Sequence, residues 1–243
     1  MKPIFCRIGS KSRVAKNIIK YFPYHDTYVE PFVGSGAVFF RKDKVKNEVI
    51  NDLDKDLINA YKLIKSVTEP QFENFKSLKT LKQKQEFVNT NPTTTAGKLY
   101  KNILLSCNTF SSNFGTKLYK NPHQFTKIKN IEKYKDRLKG TKILNQDYKN
   151  ILKKYDSPNT LFYLDPPYEN SKNIYDKYYM DYEDLELQVR NLKGAVVISM
   201  NDSPNIRKIF KNYKIVKIDE TTNRKFGSIS TSRVDILIMN YIL

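Results

Sequence analysis

Asp165-Pro166-Pro167-Tyr168 puts a carboxylate, a stiff backbone and an aromatic ring within four residues. It follows Leu161-Phe162-Tyr163-Leu164, an apolar run with the composition of a buried strand. Two prolines cannot donate to a sheet ladder, so the chain must leave the sheet there. An acid and a flat ring are thereby offered at the carboxyl end of a strand, where open α/β sheets bind ligands. Pro-Pro also punctuates ordinary turns, so the pattern needs company.

Three other segments supply it. Tyr28-Val29-Glu30-Pro31-Phe32-Val33-Gly34-Ser35-Gly36-Ala37-Val38-Phe39-Phe40 reads as a strand ending at Glu30, a Gly-x-Gly turn, and an apolar helix from near Ser35. Glycines at such a turn let a ligand approach the backbone closely. Glu48-Val49-Ile50-Asn51-Asp52 reads as a second strand, closed by an acid about twenty residues beyond the loop. A carboxylate at that spacing binds the two ribose hydroxyls of an adenosine-containing ligand. The third glycine of a dinucleotide fingerprint is missing, so a smaller adenosine cofactor is expected. Lys142-Ile143-Leu144-Asn145-Gln146-Asp147-Tyr148 is a short strand ending in an acid and an aromatic. Asp147 is suited to accept from an adenine amino group and Tyr148 to stack on the ring. A helix-capping role for Asp147 is the alternative.

These sites need a scaffold. Ser10 or Ser12 is expected to cap a helix running to about Phe22, with Lys11 at its head. An amphipathic helix follows from about Asp54 to Val67. Residues 69–138 then break the strand–helix rhythm and read as an inserted, largely helical subdomain, with one apolar helix at Ala96–Cys107. After it, 108–121 interleaves amides, hydroxyls, aromatics and lysines. Asn108, Ser111, Ser112, Asn113, Lys117 and Lys120 are of the types that contact phosphates and base edges. A plain polar loop is the alternative.

The rhythm resumes with a helix at 149–155 and the strand before Asp165. A tyrosine-rich loop over 169–181, a helix from Tyr182 to Leu192 and a strand at Ala195–Ser199 follow. Asn201 or Asp202 is expected to open a helix to Phe210. A strand at Lys214–Ile218, a basic loop holding Arg224 and Lys225, and a last strand at Val234–Met239 complete the chain. Two successive strands with no helix between them predict an antiparallel hairpin closing a mainly parallel sheet. The catalytic domain would comprise 1–68 and 139–243.

Lysine and arginine number 43 against 25 acids, a net charge of +18. That excess suits a polyanionic partner such as nucleic acid. Part of it reflects the abundance of lysine, which shares A/T-rich codons with Asn, Ile, Tyr and Phe, also abundant here. Two cysteines exclude a disulfide framework, and two histidines with no cluster around them argue against a metal. With no long apolar run, a soluble, intracellular protein is expected.

Taken together, the Tyr28–Phe40 run, Asn51-Asp52-Leu53-Asp54-Lys55-Asp56-Leu57-Ile58 and Asp165-Pro166-Pro167-Tyr168 resemble the DNA N6-adenine methyltransferases of the Dam type. Gly9-Ser10-Lys11 resembles that family's N-terminal cofactor motif, and Ile198-Ser199-Met200-Asn201-Asp202 a later strand-end motif. The resemblance covers nearly the whole chain. It implies a Rossmann-like methyltransferase fold with a seven-stranded sheet, S-adenosylmethionine as methyl donor, and residues 69–138 as a DNA target-recognition insert. Arg7, Lys11, Glu30, Pro31, Phe32, Gly34, Ser35, Gly36, Asp52, Asp147 and Tyr148 would then form the cofactor site, with Lys11 and the glycine loop at the methionine part. Asp165, Pro166, Pro167 and Tyr168 would act on a flipped-out adenine of double-stranded DNA, in a monomer or weak dimer. Ser10 replaces the family's second glycine and Arg7 an aromatic. The Asn108–Lys120 stretch lacks the usual arginine, so the recognition sequence does not carry over. RNA adenine methylation is one competing reading. A basic DNA-binding protein with a decayed cofactor site is another.

Overall fold

A computed structural model describes residues 1–7, 9–106, 118, 130–169, 180–226 and 229–242, with backbone alone at 76 and 219–234. Its sheet has seven strands: β1 (Thr27–Glu30), β2 (Asn47–Asn51), β3 (Lys142–Leu144), β4 (Thr160–Leu164), β5 (Ala195–Asn201), β6 (Lys214–Phe226) and β7 (Ile229–Met239). Their order is β3-β2-β1-β4-β5-β7-β6. Strand β7 runs antiparallel to both its neighbours, and the other pairings are parallel. The expected mixed sheet with an antiparallel last strand is therefore present. The chain builds outward from β1 through β2 to β3, then returns to place β4 on the other side of β1. That reversal opens a crevice at the carboxyl ends of β1 and β4.

Alternation along the strands sorts side chains between two apolar layers. Tyr28, Ile50, Leu161, Tyr163 and Val197 face one core, and Val29, Val49, Phe162, Leu164 and Ile198 the other. Helices α1 (Ala15–Ile19), α2 (Lys55–Ser66), α3 (Glu69–Glu73), α4 (Leu81–Asn89), α5 (Thr95–Ser106) and α6 (Glu132–Leu138) contribute to the first. Helices α7 (Tyr148–Tyr155), α8 (Tyr182–Arg190) and α9 (Pro204–Ile209) cover the second.

Local chemistry sets the helix ends. The Asp54 side chain accepts from the backbone N–H of Asp56 and Leu57, so α2 starts where the sequence predicts. Thr80 and Gln83 form a capping box at α4. Three expectations are corrected. Helix α1 is shorter and starts after Val14 without a side-chain cap, because Ser10 bonds Ser12 and Ser35 instead. Helix α9 starts at Ser203, which accepts from the Ile206 N–H, while Asp202 pairs with Arg207. The backbone of Arg224 and Lys225 lies inside β6 rather than in a loop.

Behind the sheet edge, Glu48 is clasped by Lys42 at 2.7 Å and by the Arg137 guanidinium. Arg137 also lies over the Phe39 ring and donates to the Phe39 carbonyl. The returning helix α6 is thereby fastened to the start of β2.

Candidate active site

Four acids reach the same edge of the sheet. Glu30 closes β1, Asp52 follows β2, Asp147 follows β3 and Asp165 follows β4, and these strands are neighbours in the order β3-β2-β1-β4.

The glycine loop follows β1 as a series of turns rather than the expected helix. Phe40 N–H reaches the Gly36 carbonyl, but Arg41 already bonds three residues back, so no regular helix forms. Gly34 and Gly36 have φ of +46° and +68°, the left-handed region that glycine adopts freely. A Cβ on Gly36 would stand 2.8 Å from Tyr61 Oη and 3.0 Å from the Phe40 ring, whereas one on Gly34 would meet nothing within 4 Å. The loop is thus closed behind and open in front. Tyr61 donates to the Gly34 carbonyl at 2.9 Å. Gly34 N–H donates to Asp52 Oδ2 at 2.9 Å, and Asp54 N–H to Asp52 Oδ1 at 3.0 Å. Burial pushes the Asp52 carboxyl up despite the Arg7 charge nearby.

Asn51, which motif reading passed over, ties three loops together. Its amide donates to the Pro31 and Gln146 carbonyls and its oxygen accepts from Gln146 N–H. A buried amide at a strand end is its only sequence signal. Leu53 was also missed: it is a large apolar side chain left 55% exposed beside Asp52. Asp147 caps α7 by accepting from Lys149 N–H at 2.8 Å and is otherwise exposed. Tyr148 sets its ring 5.2 Å from that of Phe32 and donates to Asp184 at 2.9 Å. The Arg7 guanidinium pairs with Asp54, and Ser35 bonds Ser10, joining the N-terminal turn to the glycine loop.

Lys11 is the least expected placement. It is buried, not solvated, and its Nζ lies 2.6 Å from Asp165 Oδ1, 3.1 Å from the Gly9 carbonyl and 4.5 Å from the centre of the Tyr168 ring. The tetrapeptide itself is pinned from outside. Tyr182 donates to the Pro167 carbonyl at 2.7 Å, and Ser203 and Asn205 donate to Glu169. No hydrogen bond from the described residues reaches the Pro166 carbonyl. Asn108, Ser111, Ser112, Asn113, Lys117 and Lys120 lie outside the described residues. Among those described, no group of three His, Cys, Asp or Glu could hold a metal ion, and no helix is long and apolar enough to cross a membrane.

Glu30 shares the face of Asp165 but is shut away. Its Oε2 accepts from Tyr28 at 2.6 Å, and burial pushes its pKa up to about 8 against an ordinary value of 4.5. Between those values the folded chain holds a proton that the unfolded chain has released. Stability from this group therefore falls as pH rises through that window, by up to about 1.4 kcal/mol per pH unit. Glu30→Gln copies the neutral form. Urea unfolding at pH 6, 7 and 8 is expected to show a flatter profile for the variant, and parallel profiles would refute the assignment.

The chain belongs to the D12 class of N6 adenine-specific DNA methyltransferases, whose pattern matches residues 8–224. It is similar to the type II methyltransferase M.MjaIII of Methanocaldococcus jannaschii, with 26% identity over an alignment covering 99% of each chain. It is similar to M1.LlaDCHI of Lactococcus lactis subsp. cremoris at 27% identity, over 99% of this chain and 96% of that one. A stretch of 63 residues, 26% of this chain and 22% of its relative, is 41% identical to the DNA adenine methylase of Vibrio cholerae.

Proposed function

We propose that this adenine-specific DNA methyltransferase takes its methyl group from S-adenosylmethionine and delivers it to an adenine flipped out of duplex DNA, with Asp165 and Pro166 as the groups that touch the amine. The carrying observation is the placement of Asp165 at the end of β4, next to β1 and its Gly34–Gly36 loop, with a Pro166 carbonyl that no described residue bonds.

The residues fit the donor. The open face of Gly34 admits close approach, the Asp52 oxygens keep lone pairs for ribose hydroxyls, and exposed Leu53 offers an apolar surface to a flat ring. Pro31, Phe32, Ser35 and Gly36 would shape that pocket, with Asp147 and Tyr148 at its β3 end. When bound, S-adenosylmethionine supplies an electrophilic methyl group on a sulfonium centre.

The exocyclic amine of adenine is a weak nucleophile because its lone pair is delocalised into the ring. Asp165 and the Pro166 carbonyl would accept its two N–H bonds. That localises the lone pair and stabilises the positive charge that develops as nitrogen is alkylated. Proline at 166 fixes the backbone and so aims the carbonyl. Tyr168 would stack on the base, which must leave the duplex at a cost of about a few kcal/mol. Lys11, paired with Asp165 and next in sequence to Ser10, which bonds Ser35 of the glycine loop, would hold the methionine end. Residues 69–138 would form the recognition insert, with Asn108, Ser111, Ser112, Asn113, Lys117 and Lys120 on DNA, in a monomer or weak dimer.

Transfer of labelled methyl from S-adenosylmethionine to duplex DNA and to structured RNA, with sequencing of methylated sites, tests this. N6-methyladenine at one recurrent DNA sequence is the expected product. Labelling of RNA alone, or binding of DNA without any donor binding, would overturn it.

A further inference from the structure

Ser199 is an anomaly in its strand. Val196, Val197, Ile198 and Met200 around it are buried and apolar, and Ser199 itself is fully buried. A hydroxyl survives in such surroundings when its bonds are made. Here they are: Ser199 Oγ lies 2.9 Å from Asp165 Oδ1 and 2.9 Å from the hydroxyl of Tyr163, which is also buried.

Proton counting sets the direction of this chain. A carboxylate only accepts, and a serine hydroxyl has one hydrogen. Ser199 must give that hydrogen to Asp165, so it must accept from Tyr163. Burial raises the Tyr163 phenol well above its ordinary range, which keeps its hydrogen in place. Strand geometry explains the meeting. Tyr163 and Asp165 are two residues apart and share a face, and β5 runs parallel beside β4 with Leu164 opposite Ile198. Lys11 donates to the same oxygen, Oδ1. Among the described residues no bond reaches Oδ2, and the Asp165 side chain is 20% exposed.

We infer that Ser199 and Tyr163 are positioning residues: a one-way hydrogen-bond relay that anchors Asp165 Oδ1 and leaves Oδ2 turned to the target amine. This rests on the reading of Asp165 given under Proposed function. Without the relay Lys11 alone among the described residues holds Oδ1, and the carboxylate is aimed less tightly, with no loss of substrate contacts.

The test is single-turnover and steady-state kinetics on duplex DNA for Ser199→Ala, Tyr163→Phe, the double variant and Ser199→Thr, with Asp165→Ala alongside. Ser199→Ala is expected to slow transfer about tenfold with KM for DNA and donor changed less than about twofold. Tyr163→Phe is expected to slow it less. The double variant is expected to match Ser199→Ala, since Tyr163 acts only through Ser199. Ser199→Thr, which keeps the hydroxyl, is expected to recover most of the rate. A Ser199→Ala rate within twofold of the parent, a loss confined to KM, or effects that multiply in the double variant would overturn the relay. Where Ser199→Ala melts before assay, Tyr163→Phe decides alone, and an unchanged rate there overturns it. If instead the parent and Asp165→Ala transfer equally, it is the reading of Asp165 that fails.

Discussion

Asp165→Ala is expected to lower the methyl-transfer rate on duplex DNA by about a thousandfold, the scale seen when a group matched to transition-state charge is removed. On the proposed mechanism, the variant takes away the acceptor for one amine hydrogen and the negative charge facing the nitrogen as it becomes positive. It also strands Lys11, whose ammonium keeps, among the described residues, the Gly9 carbonyl and the Tyr168 face. Some loss of stability should accompany the loss of rate, so melting temperature and donor titration belong in the same experiment. Asp165→Asn keeps one acceptor oxygen, which can serve Ser199 or the amine but not both, and loses the charge, so it should fall between the parent and alanine. Full activity in Asp165→Ala would remove this residue from the chemistry.

The second large effect is at the glycine loop, where two adjacent substitutions should fail in different ways. Gly36→Ala asks a residue with a Cβ to hold φ +68° and to share space with Tyr61 Oη and the Phe40 ring. Backbone strain and overlap together cost about 2–4 kcal/mol, a fall of about 5–15 °C in melting temperature for a chain of this size. Gly34→Ala meets no neighbour, so it carries the strain alone, about 1–2 kcal/mol. Its methyl group instead projects into the open side of the loop. Calorimetry with S-adenosylmethionine is expected to show at least tenfold weaker binding for Gly34→Ala than its small change in melting temperature would suggest. Unchanged affinity would place the donor elsewhere.

Much of this edge was legible because strand and turn chemistry are local. The Leu161–Leu164 run had to be buried, and the two prolines had to end it. Asp54 announced α2 by its type and place, and Glu30, Asp52 and Asp165 fell at strand ends. What stayed hidden depends on distant partners. Ser10 and Ser12 look like helix caps until Ser35, from another loop, takes the hydroxyl. Lys11 looks solvated until Asp165, 154 residues away, folds against it. Arg224 and Lys225 look like loop residues because charge marks solvent exposure, and an edge strand tolerates charge as well as a loop does. Ser199 and Asn51 stand inside recognisable motifs, but their residue types alone do not say what they do. Their importance lies in which groups they saturate, and that exists only once strands are side by side.

The fastening of α6 has a consequence for descent. Ser106, at the end of α5, accepts from Cys6 N–H through its Oγ, and Ile131, just before α6, donates its N–H to Glu69. Arg137 then locks to Glu48 at the root of β2. One further tie runs from Leu118 N–H to Gln85. On the proposed reading of residues 69–138, the sequence between these ties is free to change while the sheet and its acids are inherited, so one catalytic frame would serve many target sequences.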